Sequence, residues 1–159
     1  MSLEEDIGRL LAARGETLVV AESVTGGLVG SRVTDISGSS RYFLESIVAY
    51  ADASKVSYLG VRKETLAAKG AVSEEVAREM AEGARARSGA TWAIATTGIA
   101  GPLGATPAKP LGLVYVAVAG PARTRVARDQ FKGDRLAVKA AAAEAALRLL
   151  REEVLAAAG

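Results

Sequence analysis

The sequence predicts an α/β fold, a three-layer α/β/α sandwich around a mixed, mostly parallel sheet. Two observations carry that prediction. Short apolar runs of strand length alternate with longer segments of helical period for most of the chain. Near the C-terminus, two strand-like runs are separated only by the Gly120-Pro121 turn, which adds an antiparallel hairpin to the crossover-connected strands.

The elements follow in order. Ser2 with Glu5 three residues on makes a capping-box signal. Ile7, Leu10 and Leu11 then recur on one helical face up to a stop at Gly15. Thr17 to Ala21 (TLVVA) reads as a buried strand, Glu22 to Gly27 as a tight glycine turn, and Leu28 to Ile36 as a helix. Ser37 to Ser40 is a loop and Tyr42 to Tyr50 is strand-like. Two short helices, Ala53 to Leu59 and Lys63 to Lys69, are broken at Gly60. Ser73 is a good N-cap, with Glu74 and Glu75 favourable in the first turn of a helix reaching Ser88 and Gly89. Thr91 to Thr96 is a strand, and 98–110 is a Gly/Pro-rich loop. Leu113 to Val118 and Arg123 to Phe131 form the hairpin, and a long Ala-rich helix runs from about Asp134 to Leu155.

A chain of 159 residues favours one domain, spanning 1–159. Hydrophobic residues make up 50% and aromatics only 4%, so the core must be built from Ala, Val, Leu and Ile. The net charge is +2, with a mildly basic stretch from Arg123 to Lys139. That suits a pocket for a small phosphate ester better than a nucleic-acid surface, which shows a dense basic face. The acidic N-terminus lacks the pattern of a signal peptide, and no apolar stretch is long enough to span a membrane. A cytoplasmic protein with no nucleic-acid or membrane partner is expected. Few charges on one face of the Ala-rich helix suggest burial against a partner chain, so a homo-oligomer is expected.

There is no cysteine and no histidine. A thiol nucleophile, a disulfide framework, a thiolate metal site and a Ser-His-Asp mechanism are therefore excluded. Acid–base work falls to Asp, Glu, Lys, Tyr or groups of the substrate.

In an open parallel sheet, ligands sit beyond the carboxyl ends of the strands. Two segments fall there. One is Glu22-Ser23-Val24-Thr25-Gly26-Gly27 and the other is Thr96-Thr97-Gly98-Ile99-Ala100-Gly101-Pro102. Both set hydroxyls beside glycines, which let backbone N–H groups approach an anion, as a phosphate cradle or an oxyanion hole. Ordinary turn chemistry explains either segment alone. Tyr50 to Lys55 ends a strand and begins a helix. Its lysine is either a desolvated base or a solvated surface cation, and Lys109 has the same standing. Arg135 and Lys139, four apart, share a helix face and could clamp one phosphate. No Walker A or GxGxxG pattern is present.

These segments resemble the CinA C-terminal domain. AESVTGG (21–27), YADASK (50–55), GAVS (70–73), TGIAGP (97–102), KPLGLV (109–114) and GDR (133–135) occur in the order and approximate spacing of that family. The resemblance covers the chain from about Leu10 to Leu150. It implies a three-layer α/β/α sandwich and, as in the nicotinamide-nucleotide amidases of the family, hydrolysis of nicotinamide mononucleotide to nicotinate mononucleotide and ammonia. No metal and no cofactor are expected. Larger members carry an N-terminal domain similar to molybdopterin-binding proteins, so this chain looks like the stand-alone form.

The resemblance further implies a Ser–Lys mechanism. Ser23 is the nucleophile, Lys55 the base, and Tyr50 orients Lys55 or the substrate. Backbone N–H groups around Thr25, Gly26 and Gly27, or at Thr97 and Gly98, hold the oxyanion. Arg135 and Lys139 bind the 5′-phosphate, Gly101 belongs to the second glycine loop, and Thr97 is a second-choice hydroxyl. Glu22 is structural or positions Lys55. The chain departs from the family pattern in four places. Val24 replaces a cysteine and Ala51-Asp52 a Ser-Asn pair. Leu103 and Ala105 stand in a loop usually richer in glycine, where their β-carbons are expected to narrow the pocket or prevent a positive-φ turn. Lys139 replaces an arginine. Two other readings stand beside the amidase: a non-catalytic nucleotide- or phosphate-binding module acting through a protein partner, and an amidase for a related phosphorylated amide.

Overall fold

A computed structural model describes residues 1–157. Helix α1 (Leu3–Arg14) begins at the capping box, in which the Glu5 N–H donates to Ser2 Oγ at 3.1 Å. The Ser2 N–H donates back to the Glu5 carboxylate at 2.6 Å. Then come β1 (Leu18–Glu22), α2 (Leu28–Thr34), a 3-10 turn (Ser39–Arg41) where the sequence suggested plain loop, and β2 (Phe43–Val48). They are followed by α3 (Asp52–Leu59), α4 (Lys63–Lys69), α5 (Glu74–Ser88), β3 (Trp92–Gly98), β4 (Leu113–Ala119), β5 (Thr124–Gln130) and α6 (Arg135–Ala156).

The five strands lie in the order β2-β1-β3-β4-β5. The β1–β2 and β1–β3 pairs are parallel, while β3–β4 and β4–β5 are antiparallel. Only β4 therefore runs against the other strands, so the sheet is mixed with one reversed strand. The central strands are buried along almost their whole length because helices cover both faces.

The two faces differ in side-chain size. Leu18, Val20, Ile94, Val116 and Val118 pack with α1, α2 and α6 on one side. On the other, Val19, Ala21, Ala93, Ala95 and Ala117 meet Val76, Met80 and Ala84 of α5. Small side chains let α5 lie close to the sheet. The alanine face of α6 is accounted for in the same way: Ala142, Ala143 and Ala146 are fully buried in this chain's own core. That removes the observation on which a homo-oligomer was expected. Among the described residues, no helix is long and apolar enough to cross a membrane.

The chain passes from β1 to β2 on one side of β1, then returns to place β3 on the other. The strand order reverses between β1 and β3, so their carboxyl ends frame the crevice where such sheets take ligands.

Candidate active site

The turn after β1 is built on Glu22. Its side chain is fully buried and accepts five hydrogen bonds. Donors are the N–H groups of Gly27 (3.1 Å), Val29 (2.9 Å) and Gly30 (3.0 Å) with the hydroxyls of Thr25 (2.6 Å) and Ser46 (2.7 Å). The carboxylate thus caps the start of α2, where orphan N–H groups and the helix dipole favour negative charge. Gly26 (φ 58°) and Gly27 (φ 108°) supply the left-handed backbone that folds the chain around it. The five bonds of Glu22 hold the turn, the start of α2 and Ser46 of β2, and none reaches Lys55, which is the structural arrangement.

Ser23 leaves β1 anchored through its backbone, the N–H donating to the Thr96 carbonyl at 3.1 Å. Its hydroxyl makes no hydrogen bond with any described residue. It lines an open cleft of about 190 Å³ together with Val24, Tyr50, Asp52, Lys55, Ala71, Val72, Thr97, Gly98, Ala100 and Arg135. The cleft sits at the predicted strand ends. At its edge, Gly98 lets the end of β3 lie close to β4, since a Cβ there would lie 2.8 Å from the Leu113 carbonyl oxygen.

Lys55 sits on α3 and is only 1% exposed. Its Nζ donates to the Tyr50 carbonyl at 2.8 Å, its one hydrogen-bond partner among the described residues. Burial pushes this ammonium below its ordinary value, and the Asp52 carboxylate offsets that shift only in part. The sequence left open whether this lysine was a solvated surface group; the structure buries it. Lys109 is different: its Nζ is tied to the Lys69 carbonyl, bracing the long β3–β4 loop against the end of α4.

Arg135, the first residue of α6, spans the cleft mouth. It donates to the Gly101 carbonyl at 2.8 Å and to the Tyr50 hydroxyl at 3.1 Å. Tyr50 therefore touches Lys55 through its main chain and Arg135 through its side chain. Lys139, one turn along α6, lies outside the cleft beside the glycine turn; a Cβ at Gly26 would be 3.7 Å from its Nζ.

Ser23, Lys55, Tyr50, Thr97, Gly98 and Arg135 are thus brought to one cleft. Thr25, Gly26, Gly27, Gly101 and Lys139 are not among its lining residues. Two of the expected oxyanion donors, the N–H groups of Gly26 and Gly27, need correction. The Gly27 N–H is spent on Glu22 and that of Gly26 donates to the Ser23 carbonyl at 3.1 Å, while the Thr25 hydroxyl is shared between Glu22 and Thr96. The Thr97 hydroxyl is also engaged, donating to the Ala71 carbonyl at 2.8 Å. The N–H groups of Val24, Thr25 and Ala100, by contrast, have no partner among the described residues, and Val24 and Ala100 line the cleft.

The expected narrowing by Leu103 and Ala105 does not occur. Leu103 is 86% exposed, neither residue lines the cleft, and the positive φ angles of this loop fall on Gly101 and Gly104. Sequence reasoning missed Asp52 and the Ala71-Val72 segment as lining residues. The Asp52 signal was its place one helical turn before Lys55; Ala71 and Val72 carry no chemical signal at all.

The architecture recurs in known proteins. A competence damage-inducible protein A from Klebsiella pneumoniae superposes with a TM-score of 0.93 at 37% identity, covering 96% of this chain and 95% of that one. The competence/damage inducible protein CihA from Agrobacterium tumefaciens gives a TM-score of 0.90 at 36% identity, covering 96% and 98%. Among curated sequences, a CinA-like protein of Chloroherpeton thalassium is 51% identical over 156 residues, 96% of this chain and 37% of that protein. One from Geotalea daltonii is 48% identical over 155 residues, 98% of this chain and 38% of that protein. The chain thus spans little more than a third of the length of these curated relatives. The family model described as the CinA C-terminal domain matches residues 1–154, and the chain belongs to that family.

Proposed function

We propose that this protein hydrolyses the carboxamide of nicotinamide mononucleotide, giving nicotinate mononucleotide and ammonia. One observation carries the reading: an unpartnered Ser23 hydroxyl and a desolvated Lys55 amine line the same cleft. A lysine whose charged form is disfavoured by burial can hold the neutral amine that a base needs.

In the proposed cycle, neutral Lys55 takes the Ser23 proton as Oγ attacks the amide carbon. The tetrahedral oxyanion is held by the N–H of Val24, with that of Ala100 on the facing loop. Losing one such donor typically costs about two to three orders of magnitude in rate. The intermediate collapses with cleavage of the C–N bond, and the Lys55 ammonium gives its proton to the departing nitrogen, which leaves as ammonia. Lys55 then takes a proton from water, the resulting hydroxide attacks the Ser23 ester, and the proton returns to Oγ as the acid departs. Arg135 offers its guanidinium to the phosphate at the cleft mouth, and Lys139 adds positive charge from beyond the glycine turn.

The test is ammonia release from nicotinamide mononucleotide by the purified chain, run beside Ser23→Ala. We expect turnover in the wild type and a loss of at least about three orders of magnitude in the variant. Full turnover by Ser23→Ala removes the assigned nucleophile. Binding of the nucleotide with no ammonia release replaces the amidase with a binding module. That alternative is favoured by one feature of the structure, the absence of a direct hydrogen bond between Ser23 and Lys55.

A further inference from the structure

Asp52 is the single acidic side chain on the cleft, and the mechanism does not use it. It opens α3, is exposed, and makes no ion pair or side-chain hydrogen bond with any described residue. The other charged groups lining the cleft, Lys55 and Arg135, are cationic. The ring of Tyr50, which is 61% exposed, lines the same cleft. A carboxylate here does not serve the base. It favours the protonated form of Lys55, against the effect of burial. Its placement makes sense toward a ligand instead. The carboxylate repels an anionic head group but attracts a cationic ring, and an exposed aromatic face attracts the same cation through its quadrupole.

We infer that Asp52, with the Tyr50 ring, selects amides carried on a positively charged ring over neutral ones of the same shape. The inference rests on the amidase reading and adds the ring charge to it. A pyridinium whose carboxamide reaches Ser23 must lie among the lining residues of this small cleft, and Asp52 precedes Lys55 by three residues, one turn of α3. The phosphate end is drawn instead to the cations Arg135 and Lys139.

The two forms of one ligand provide the test. Oxidised nicotinamide mononucleotide carries a pyridinium, whereas its reduced dihydropyridine form has nearly the same shape and a neutral ring. Equilibrium binding is the readout, because the two amides differ in intrinsic reactivity. The full-length Ser23→Ala chain is titrated with each form, with and without Asp52→Asn. We expect the oxidised form to bind about three- to tenfold more tightly when Asp52 is present. Asp52→Asn should erase most of that ratio by weakening the oxidised form alone, and raising the salt should shrink it. Equal affinities in the presence of Asp52 overturn the inference. So does an equal loss for both forms in Asp52→Asn, or binding of neither form. Ammonia appearing during the Ser23→Ala titration sinks the nucleophile and leaves the charge inference standing.

Discussion

Two buried ionisable side chains, Glu22 and Lys55, are treated in opposite ways by the fold. Glu22 ends β1 with its carboxylate receiving five donors, three of them from the backbone at the start of α2. Lys55 lies on α3, after the neighbouring strand β2, with three N–H bonds to satisfy and one acceptor, the Tyr50 carbonyl. A buried polar group with a full set of hydrogen bonds is compensated for its desolvation and holds structure together. A buried ion that is under-served is pushed toward its neutral form. The difference separates the group that builds the turn from the group available for chemistry.

The largest test of that contrast is Lys55→Met. Ammonia release should fall by about three orders of magnitude or more, because the base is lost. The midpoint in urea should hold steady or rise, since a poorly compensated buried charge gives way to an apolar side chain of similar length. The pH dependence of stability sharpens the point. The folded chain holds Lys55 below its ordinary value of 10.5, so over the interval between the two values the unfolded chain binds more protons. Stability contributed by this residue therefore increases as pH climbs through that interval, and the slope should vanish in Lys55→Met. A variant that unfolds readily would mean that Lys55 is a structural charge like Glu22.

Glu22→Ala is the mirror experiment and should act mainly on stability. Four donors are left without an acceptor, the Thr25 hydroxyl keeping only Thr96, and the expected cost is about 3–5 kcal/mol. Denaturant unfolding measures it, and a loss below about 1 kcal/mol would show that the turn does not depend on this carboxylate. The smallest expected effect is at Leu103→Gly. The side chain is exposed and away from the cleft, so ammonia release should stay within about twofold of the wild type. A marked gain would mean that the loop enters the cleft when substrate is bound.

Much of the fold is legible in the chain because its signals are local. Ser2 with Glu5, Ser73 and the stops at Gly15 and Gly89 mark helix ends through hydrogen bonds and dihedral angles that a few neighbouring residues decide. The continuous apolar runs mark β1, β3 and β4 because a strand covered on both faces has no polar side to show. Absence of histidine and cysteine likewise limits the chemistry by composition alone.

What the tertiary structure alone decided is which of these residues meet. Nothing in the chain states that β3 lies beside β1 with β2 on the far side, yet that order brings Ser23, Lys55 and Thr97 to one cleft. It also decided that the donors of Gly26 and Gly27 are consumed by the turn itself, while those of Val24 and Ala100 have no partner among the described residues. Hydrogen-bond partners are assigned by packing across sequence separations that no local pattern records. A glycine-rich motif therefore announces a close approach without saying whether its N–H groups face a ligand or the chain's own carboxylate.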